Sequence, residues 1–272
     1  PSPPKGRVKR VLMRKRVFQL KWKVLLLRYL LGEIVVFNKF GGKLRDDLRT
    51  GYVCNVTECA RWADVVLDKV DEFVNRGIFY TLGGGAYIDT PEEYRARVND
   101  QDRVLGEFQG LRDKMMLVMG QMLNTEVKQL DRAGYPGFHI VGSGASGRSG
   151  MFHVDMPYQH VYWPGPFCNP FTFTLLLRTP RCGSALWHWD DIGFDEAMKI
   201  IVETRDSSLA IAEMPTIGRE TIKYDVGALY VHSGRVPHAI ADMGEIGEGE
   251  YRVTLQGHGA YLIEEGCAAV YF

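Results

Sequence analysis

The sequence predicts an α+β protein in which helices come first and pack on the outside of a β-rich sandwich or barrel of the jelly-roll kind. Three observations carry this. Apolar residues recur at helical spacing through the region before Asp131. From about Tyr135 onward the pattern changes to short β-rich runs separated by Gly, Pro and Asn clusters. The 272 residues, 46% of them hydrophobic, suffice to bury a sizeable core. The chain divides into a basic arm or strand region (1–40), a helical support region (41–134) and a β core (135–272), read as one integrated domain.

In the arm, Phe18, Leu20, Trp22 and Val24 alternate with Gln19, Lys21 and Lys23, which reads as a strand, although the apolar run through Leu31 keeps helix open. Gly41-Gly42 marks a turn. Thr57 is the expected N-cap of a first helix carrying Trp62, Val65, Val66, Val70 and Phe73, stopped by Gly77. After Gly83-Gly84-Gly85, a longer helix is expected from about Asp102 to Asp131. Its Met-rich apolar stripe, Leu105, Phe108, Leu111, Met115, Leu117, Met119, Met122 and Leu123, reads as core filler. Strands are expected at Phe138–Val141, Phe171–Leu177, Ala185–Trp189, Gly227–His232 and Arg252–Leu255.

Basic and acidic residues balance at 33 each, but residues 1–32 hold ten basic side chains and no acidic one. The remainder therefore carries 23 basic against 33 acidic groups, and the plainest reading is an arm that folds back on an acidic body. Contact of residues 5–28 with nucleic acid or an anionic surface ranks below it. Five cysteines without a CxxC spacing indicate neither a disulfide framework nor a zinc site, which suits a reducing, cytoplasmic compartment. The Arg-rich start leaves organelle targeting open. Val24–Leu31 is interrupted by Arg28 and followed by Glu33, so no membrane-spanning helix is expected.

The chemistry concentrates in Gly150-Met151-Phe152-His153-Val154-Asp155-Met156-Pro157. In an extended segment, His153 and Asp155 point to one side, about 7 Å apart along the chain, and can converge on one ion. His238, after the strand Gly227–His232, is the best third ligand. Two histidines and a carboxylate on one face of an octahedral ion leave three positions open, the arrangement of iron(II) oxygenases. A second match to the same spacing, His188-Trp189-Asp190, competes.

Order and context favour the first match. Phe152-His153-Val154-Asp155, Thr172–Leu177 with Arg178-Thr179-Pro180, Gly183-Ser184-Ala185-Leu186, Tyr224–Leu229 leading to His238, and Tyr251-Arg252-Val253-Thr254-Leu255 together resemble the 2-oxoglutarate/iron(II) dioxygenase superfamily. The similarity is strongest to its prolyl-hydroxylase-like branch and covers Tyr135 to His258. It implies a double-stranded β-helix (jelly-roll) core with N-terminal supporting helices. The implied metal ligands are His153, Asp155 and His238, with Fe(II), 2-oxoglutarate and O2 as cofactor and co-substrates. Arg252 is implied to pair with the far carboxylate of 2-oxoglutarate, as a bidentate guanidinium can; Thr254, two residues on and so on the same strand face, is in place to donate to that carboxylate. His188 and Asp190 fall on a strand where the family has no ligand. The presence of Asp155 favours hydroxylation, desaturation or ring closure over halogenation.

Strand parity puts Thr172, Thr174, Leu176 and Arg178 on one face, so that Thr172 and Thr174 line the cavity if that face looks inward. His139 and His160 flank the ligand strand as pocket candidates, whereas His232 and His258 read as structural. Trp163, Trp187 and Trp189 read as core before substrate wall. Arg148, Arg178 and Arg181 are candidate partners for a substrate carboxylate, and Gly142–Gly147 reads as a mobile loop. The substrate is expected to be a small, amino-acid-derived or natural-product molecule. A protein or nucleic-acid substrate held by the arm, a non-catalytic jelly-roll module and a cupin-like metalloenzyme without an oxoacid stay open.

Overall fold

The computed structural model describes residues 48–77, 79–143, 150, 152–155, 161–206, 218–242 and 244–272. The expectations for the arm, for Gly41-Gly42, for Gly144–Gly147, and for Arg148 and His160 lie outside them. The described chain opens with β1 (Arg49–Tyr52), α1 (Val56–Leu67), β2 (Val74–Asn75), β3 (Tyr80–Leu82), α2 (Pro91–Leu105), α3 (Gln109–Leu123), β4 (Val127–Gln129) and β5 (Gly137–Val141). It continues through β6 (Phe167–Arg178), β7 (Ala185–Trp189), α4 (Phe194–Asp206), β8 (Arg219–Lys223), β9 (Ala228–Ser233), β10 (His238–Ile240), β11 (Arg252–Leu262) and β12 (Cys267–Tyr271).

The helical boundaries differ from expectation for local reasons. Asn55, not Thr57, caps α1, its side chain accepting from Glu58 N at 2.9 Å. This helix ends at Leu67, and Val70–Glu72 forms one 3-10 turn instead of continuing it. The single long helix expected after Asp102 is two. Thr90-Pro91-Glu92-Glu93 starts α2 with a reciprocal capping box and a proline in its first turn. A 3-10 turn at Gly106–Phe108 separates it from α3, which stops at Asn124 in left-handed conformation (φ 53°). Cys54 and Cys59 are joined as a disulfide, correcting the expectation of none. No described helix is long and apolar enough to cross a membrane.

Two antiparallel layers organise the strands. The main sheet runs β1-β9-β6-β11-β5-β3-β2, while β12 takes the rest of the β11 edge beside β5 and pairs in parallel with β4. The small sheet is β10-β7-β8. At Gly257 and Gly259 the Phe173 and Phe171 rings lie across β11 so closely that a Cβ would collide with them and with the β12 backbone. This is why β11 continues through glycines that broke the sequence pattern at Leu255.

The two faces of the main sheet are both buried. Phe173, Leu175, Leu229, Val231, Val253, Leu255 and Phe138 join Ala63 and Val66 of α1 and Leu111, Met115 and Met119 of α3 in the largest apolar cluster. Of the Met-rich stripe, Leu105, Phe108, Leu111, Met115, Met119 and Leu123 are core and Met122 is partly buried, whereas Leu117 faces solvent. The opposite face carries Thr172, Thr174, His232, Arg252, Thr254, His258 and His139, all buried. A smaller cluster of Leu176, Leu186, Tyr224, Ala228 and Tyr230 ties this face to the small sheet.

A register shift between Val253 and Thr254 opposite Leu176 and Arg178 breaks the parity of β6. Arg178 is therefore turned to α1, where it binds Asp64 Oδ1 at 2.5 Å and the Ala60 carbonyl at 3.4 Å. It does not share the face of Thr172 and Thr174. Arg181 is exposed and paired with Glu250. Both candidate partners for a substrate carboxylate thus already have acidic partners on the protein.

Candidate metal centre

One backbone bridge closes the sequence gap between the ligand segments. His153 and His238 pair antiparallel, with His153 N donating to the His238 carbonyl at 3.1 Å and His238 N to the His153 carbonyl at 2.9 Å. One rung on, Asp155 N donates to the Gly234 carbonyl at 2.7 Å. Residues opposite each other in such a pair project to the same side, and their imidazole centroids lie 4.3 Å apart. Asp155, two residues from His153, shares that side. One ligand atom from each of His153, Asp155 and His238 lies within 4.8 Å of the others, an arrangement that can hold a metal ion.

The surroundings prepare each donor. His238 Nδ1 donates to the Val236 carbonyl at 2.9 Å and its Nε2 is hydrogen-bonded to Asp155 Oδ2 at 3.1 Å. Burial pushes this imidazole down, but the Asp155 carboxylate beside it holds it above its ordinary range. Thr172 Oγ1 donates to Asp155 Oδ2, and His258 Nδ1 approaches Thr172 Oγ1 at 3.3 Å and the same carboxylate oxygen at 3.6 Å. Burial alone would push the Asp155 carboxyl up. The imidazoles of His258, His238 and His153 overcome it and hold the group well below the usual carboxylate range. The carboxylate is anionic, and once the two imidazoles give up a proton in favour of the incoming ion the three groups form a donor set that Fe(II) takes readily. His153 is the open side of the centre: 35% of its side chain is exposed, against 5% for His238 and 8% for Asp155.

On the face of β11 that also carries Thr254 and His258, Arg252 is 2% exposed. Its Nε donates to Ser184 Oγ at 2.7 Å and its guanidinium lies 5.8 Å from the centroid of the Tyr224 ring. Its Nη1 is buried without a hydrogen-bond partner among the described residues. An uncompensated buried cation costs several kcal/mol unless something anionic meets it. A planar carboxylate fits this guanidinium, so the residues present suit 2-oxoglutarate as well as the metal.

Not every expected contact is made as expected. The Thr254 hydroxyl donates to Gln256 Oε1 at 3.0 Å, and the Thr174 hydroxyl hydrogen-bonds the Tyr224 phenol. His188 stands on β7 opposite His238 in register but outside the ligand triad. Its Nδ1 is 2.8 Å from Asp190 Oδ1, and burial, with His238 nearby, pushes the imidazole down to about 4. Asp190 does not offset this, because it is the more exposed partner and water screens it. His232 packs edge-on against His238, with centroids 4.5 Å apart. His139 is bonded to the Tyr87 hydroxyl and lies 3.3 Å from Gln256 Nε2. Trp189 is fully buried against Phe152, and Trp163 stacks on Phe167, as core aromatics do. Sequence reading missed Tyr87 and Tyr224 as neighbours of the centre and gave His258 a merely structural role. Position His258 at i+2 and i+4 from Gln256 and Thr254 on one strand face was the signal available for it.

No family model matches the chain, and no curated protein does. Among solved structures it is similar to an N-substituted L-amino acid dioxygenase from Burkholderia ambifaria AMMD in complex with alpha-KG, at 15% identity and TM-score 0.44, over 83% of this chain and 86% of that one. It is similar to a prolyl-4-hydroxylase from Pseudomonas putida at 14% identity and TM-score 0.42, over 78% and 90%. EvdO2 from Micromonospora carbonacea var. aurantiaca, complexed with 2-oxoglutarate, matches at 12% identity and TM-score 0.44, over 87% and 94%. At these values the functional reading rests on the side chains of the centre itself.

Proposed function

We propose that the chain is an Fe(II)- and 2-oxoglutarate-dependent oxygenase that oxidises a C–H bond of a small molecule, on a double-stranded β-helix (jelly-roll) core. One juxtaposition carries this reading. Two imidazoles and an anionic carboxylate converge within 4.8 Å, and a buried guanidinium with an orphaned Nη1 stands on the adjoining strand face. Metal chemistry alone explains the first feature but gives no reason for the second. The jelly-roll assignment is supported by two antiparallel layers that meet through Leu176, Leu186 and Tyr224, with the ligand segment extending the small sheet beside β10.

In this reading His153, Asp155 and His238 hold the ferrous ion, and Arg252 holds the far carboxylate of 2-oxoglutarate. Together, when bound, ion and oxoacid supply dioxygen activation coupled to oxidative decarboxylation. The protein's share is orientation. The Val236 carbonyl sets the His238 tautomer, and Thr172 and His258 keep the Asp155 carboxylate in one rotamer. Ser184 and the Tyr224 ring aim the guanidinium. The deep burial of two ligands, with only His153 partly open, supports a substrate small or slender enough to reach the ion from that side.

The test is spectroscopic. Anaerobic addition of Fe(II) and 2-oxoglutarate produces a weak visible charge-transfer band, which His153→Ala and His238→Ala abolish. Loss of the band in His188→Ala, with the band kept in His153→Ala, would sink the ligand assignment. No band in the unaltered protein, with Fe(II) bound, would sink the oxygenase reading.

A further inference from the structure

Among the described residues, His188 is a buried titratable group that this function leaves unused. It stands on the same face of β7 as Leu186, which packs between the two layers, and four residues on from Ser184, the partner of Arg252. The face of β7 that begins at the carboxylate anchor therefore ends at His188, in register with the metal-ligand candidate His238. Its ring also stands edge-on to His232, at 5.7 Å between centroids. The side chain is 2% exposed. Its Nδ1 is bonded to Asp190 Oδ1 at 2.8 Å, which places the hydrogen on Nδ1 and the lone pair on Nε2. That Nε2 is buried and has no hydrogen-bond partner among the described residues.

A buried acceptor left unpaired is destabilising, and native interiors rarely keep one without use. Packing offers no reason for a histidine here: Leu186, two residues earlier on the same face, shows that the layer accepts an apolar side chain. Tautomer and burial together define the missing partner as a donor, an O–H or N–H group. 2-Oxoglutarate, as the dianion, has neither. We propose that His188 is a substrate-binding, specificity-determining residue whose Nε2 accepts a hydrogen bond from a hydroxyl or amine N–H of the substrate. This rests on the oxygenase reading above and narrows its substrate class to compounds carrying such a donor. Asp190 acts as the positioning residue that holds the tautomer.

The experiment compares the unaltered protein with His188→Leu, which removes the acceptor, and His188→Gln, whose Oε1 restores one near the Nε2 position. The probes are L-amino acids, amino alcohols and polyols, each beside its N- or O-methylated counterpart, and the readout is stimulated succinate release. The anaerobic Fe(II)/2-oxoglutarate band and 2-oxoglutarate affinity are measured on all three proteins. Expected is stimulation of the unaltered protein by donor-bearing probes at least tenfold above their methylated counterparts. His188→Leu loses that preference while band and 2-oxoglutarate affinity stay within about twofold, and His188→Gln regains part of it. A preference that survives in His188→Leu overturns the proposal. So does a collapse of 2-oxoglutarate affinity in that variant, which would make His188 a co-substrate contact. A normal band with no probe stimulating succinate release overturns it too and leaves the oxygenase reading standing. Absence of the band in the unaltered protein removes both.

Discussion

The two faces of the main sheet are built from the same strands and buried to the same depth, yet they do opposite work. On the helix side, Phe173, Leu175, Val253 and Leu255 belong to the largest apolar cluster and need no direction beyond filling space. On the other side, Thr172, Arg252, Thr254 and His258 are equally hidden, and each polar atom must find a partner. Most do, within the protein. Arg252 Nη1 on this face and His188 Nε2 on β7 do not. The comparison teaches that one face is paid for by burial and the other only by what binds there.

Truncating the helix face should therefore cost stability and little else. Phe173 is fully buried, so Phe173→Ala is expected to lose about 3–5 kcal/mol, read as a lower urea midpoint. Affinity for 2-oxoglutarate in the folded fraction should be unchanged. A variant as stable as the parent would mean that the packing around β6 relaxes far more than the interdigitated rings suggest.

Truncating the other face should do the reverse. Arg252→Met keeps an unbranched apolar stem and removes a buried, incompletely paired cation, so thermal stability without ligand should hold or rise. Affinity for 2-oxoglutarate should fall on the order of a hundredfold, as expected for losing a charge-assisted pair worth roughly 3 kcal/mol. Fe(II) affinity should stay within a few fold. Equal loss of both ligands would indicate that the guanidinium holds the fold, and the contrast between the faces would disappear.

Acid separates the faces as well. Burial keeps His139 and His232 well below the ordinary imidazole range and His188 at about 4, whereas the helix-side residues Phe173, Leu175, Val253 and Leu255 do not titrate. Below pH 6.5 the unfolded chain then binds protons that the folded chain refuses. The stability these three contribute is full above 6.5 and declines as the pH falls toward 4, by up to about 1.4 kcal/mol per unit for each. His238, pushed down by burial but held above the ordinary range by Asp155, contributes in the opposite sense and loses its share as the pH rises. Urea midpoints of metal-free protein between pH 7.5 and 5 measure this. His139→Gln should flatten the slope, and a slope unchanged by it would show that this imidazole is already charged in the folded state.

Much of this division was legible in the chain. The His153 and Asp155 spacing could be read because a strand repeats every two residues, whereas His238 and the arginine at 252 were legible through the order of the surrounding motifs and the family they resemble. The Thr90-to-Glu93 capping box was equally readable but was overlooked in favour of a longer stripe. What could not be read is whatever depends on partners distant in sequence. The shift opposite Val253 turns Arg178 to the helix side, the Phe171 and Phe173 rings cover glycines within β11, and Cys54 meets Cys59 across a helix start. Burial of a strand on both faces also erases the polar–apolar alternation by which one face is usually recognised.

The smallest effect tests whether the polar face is organised or merely polar. Thr172 is not one of the three ligand candidates; it holds one oxygen of Asp155, with His258 behind it. Thr172→Val preserves shape and removes that hydrogen bond. If the carboxylate is held in one rotamer by this contact, Fe(II) affinity should fall about tenfold, and the visible spectrum of the Co(II)-substituted protein should shift. Thr172→Ser should restore both, because it returns the hydroxyl. Should the valine variant bind Fe(II) as the parent does with an unchanged Co(II) spectrum, Asp155 is fixed by its backbone bond to Gly234 and by His238 alone, and the hydroxyl serves only to satisfy a buried lone pair.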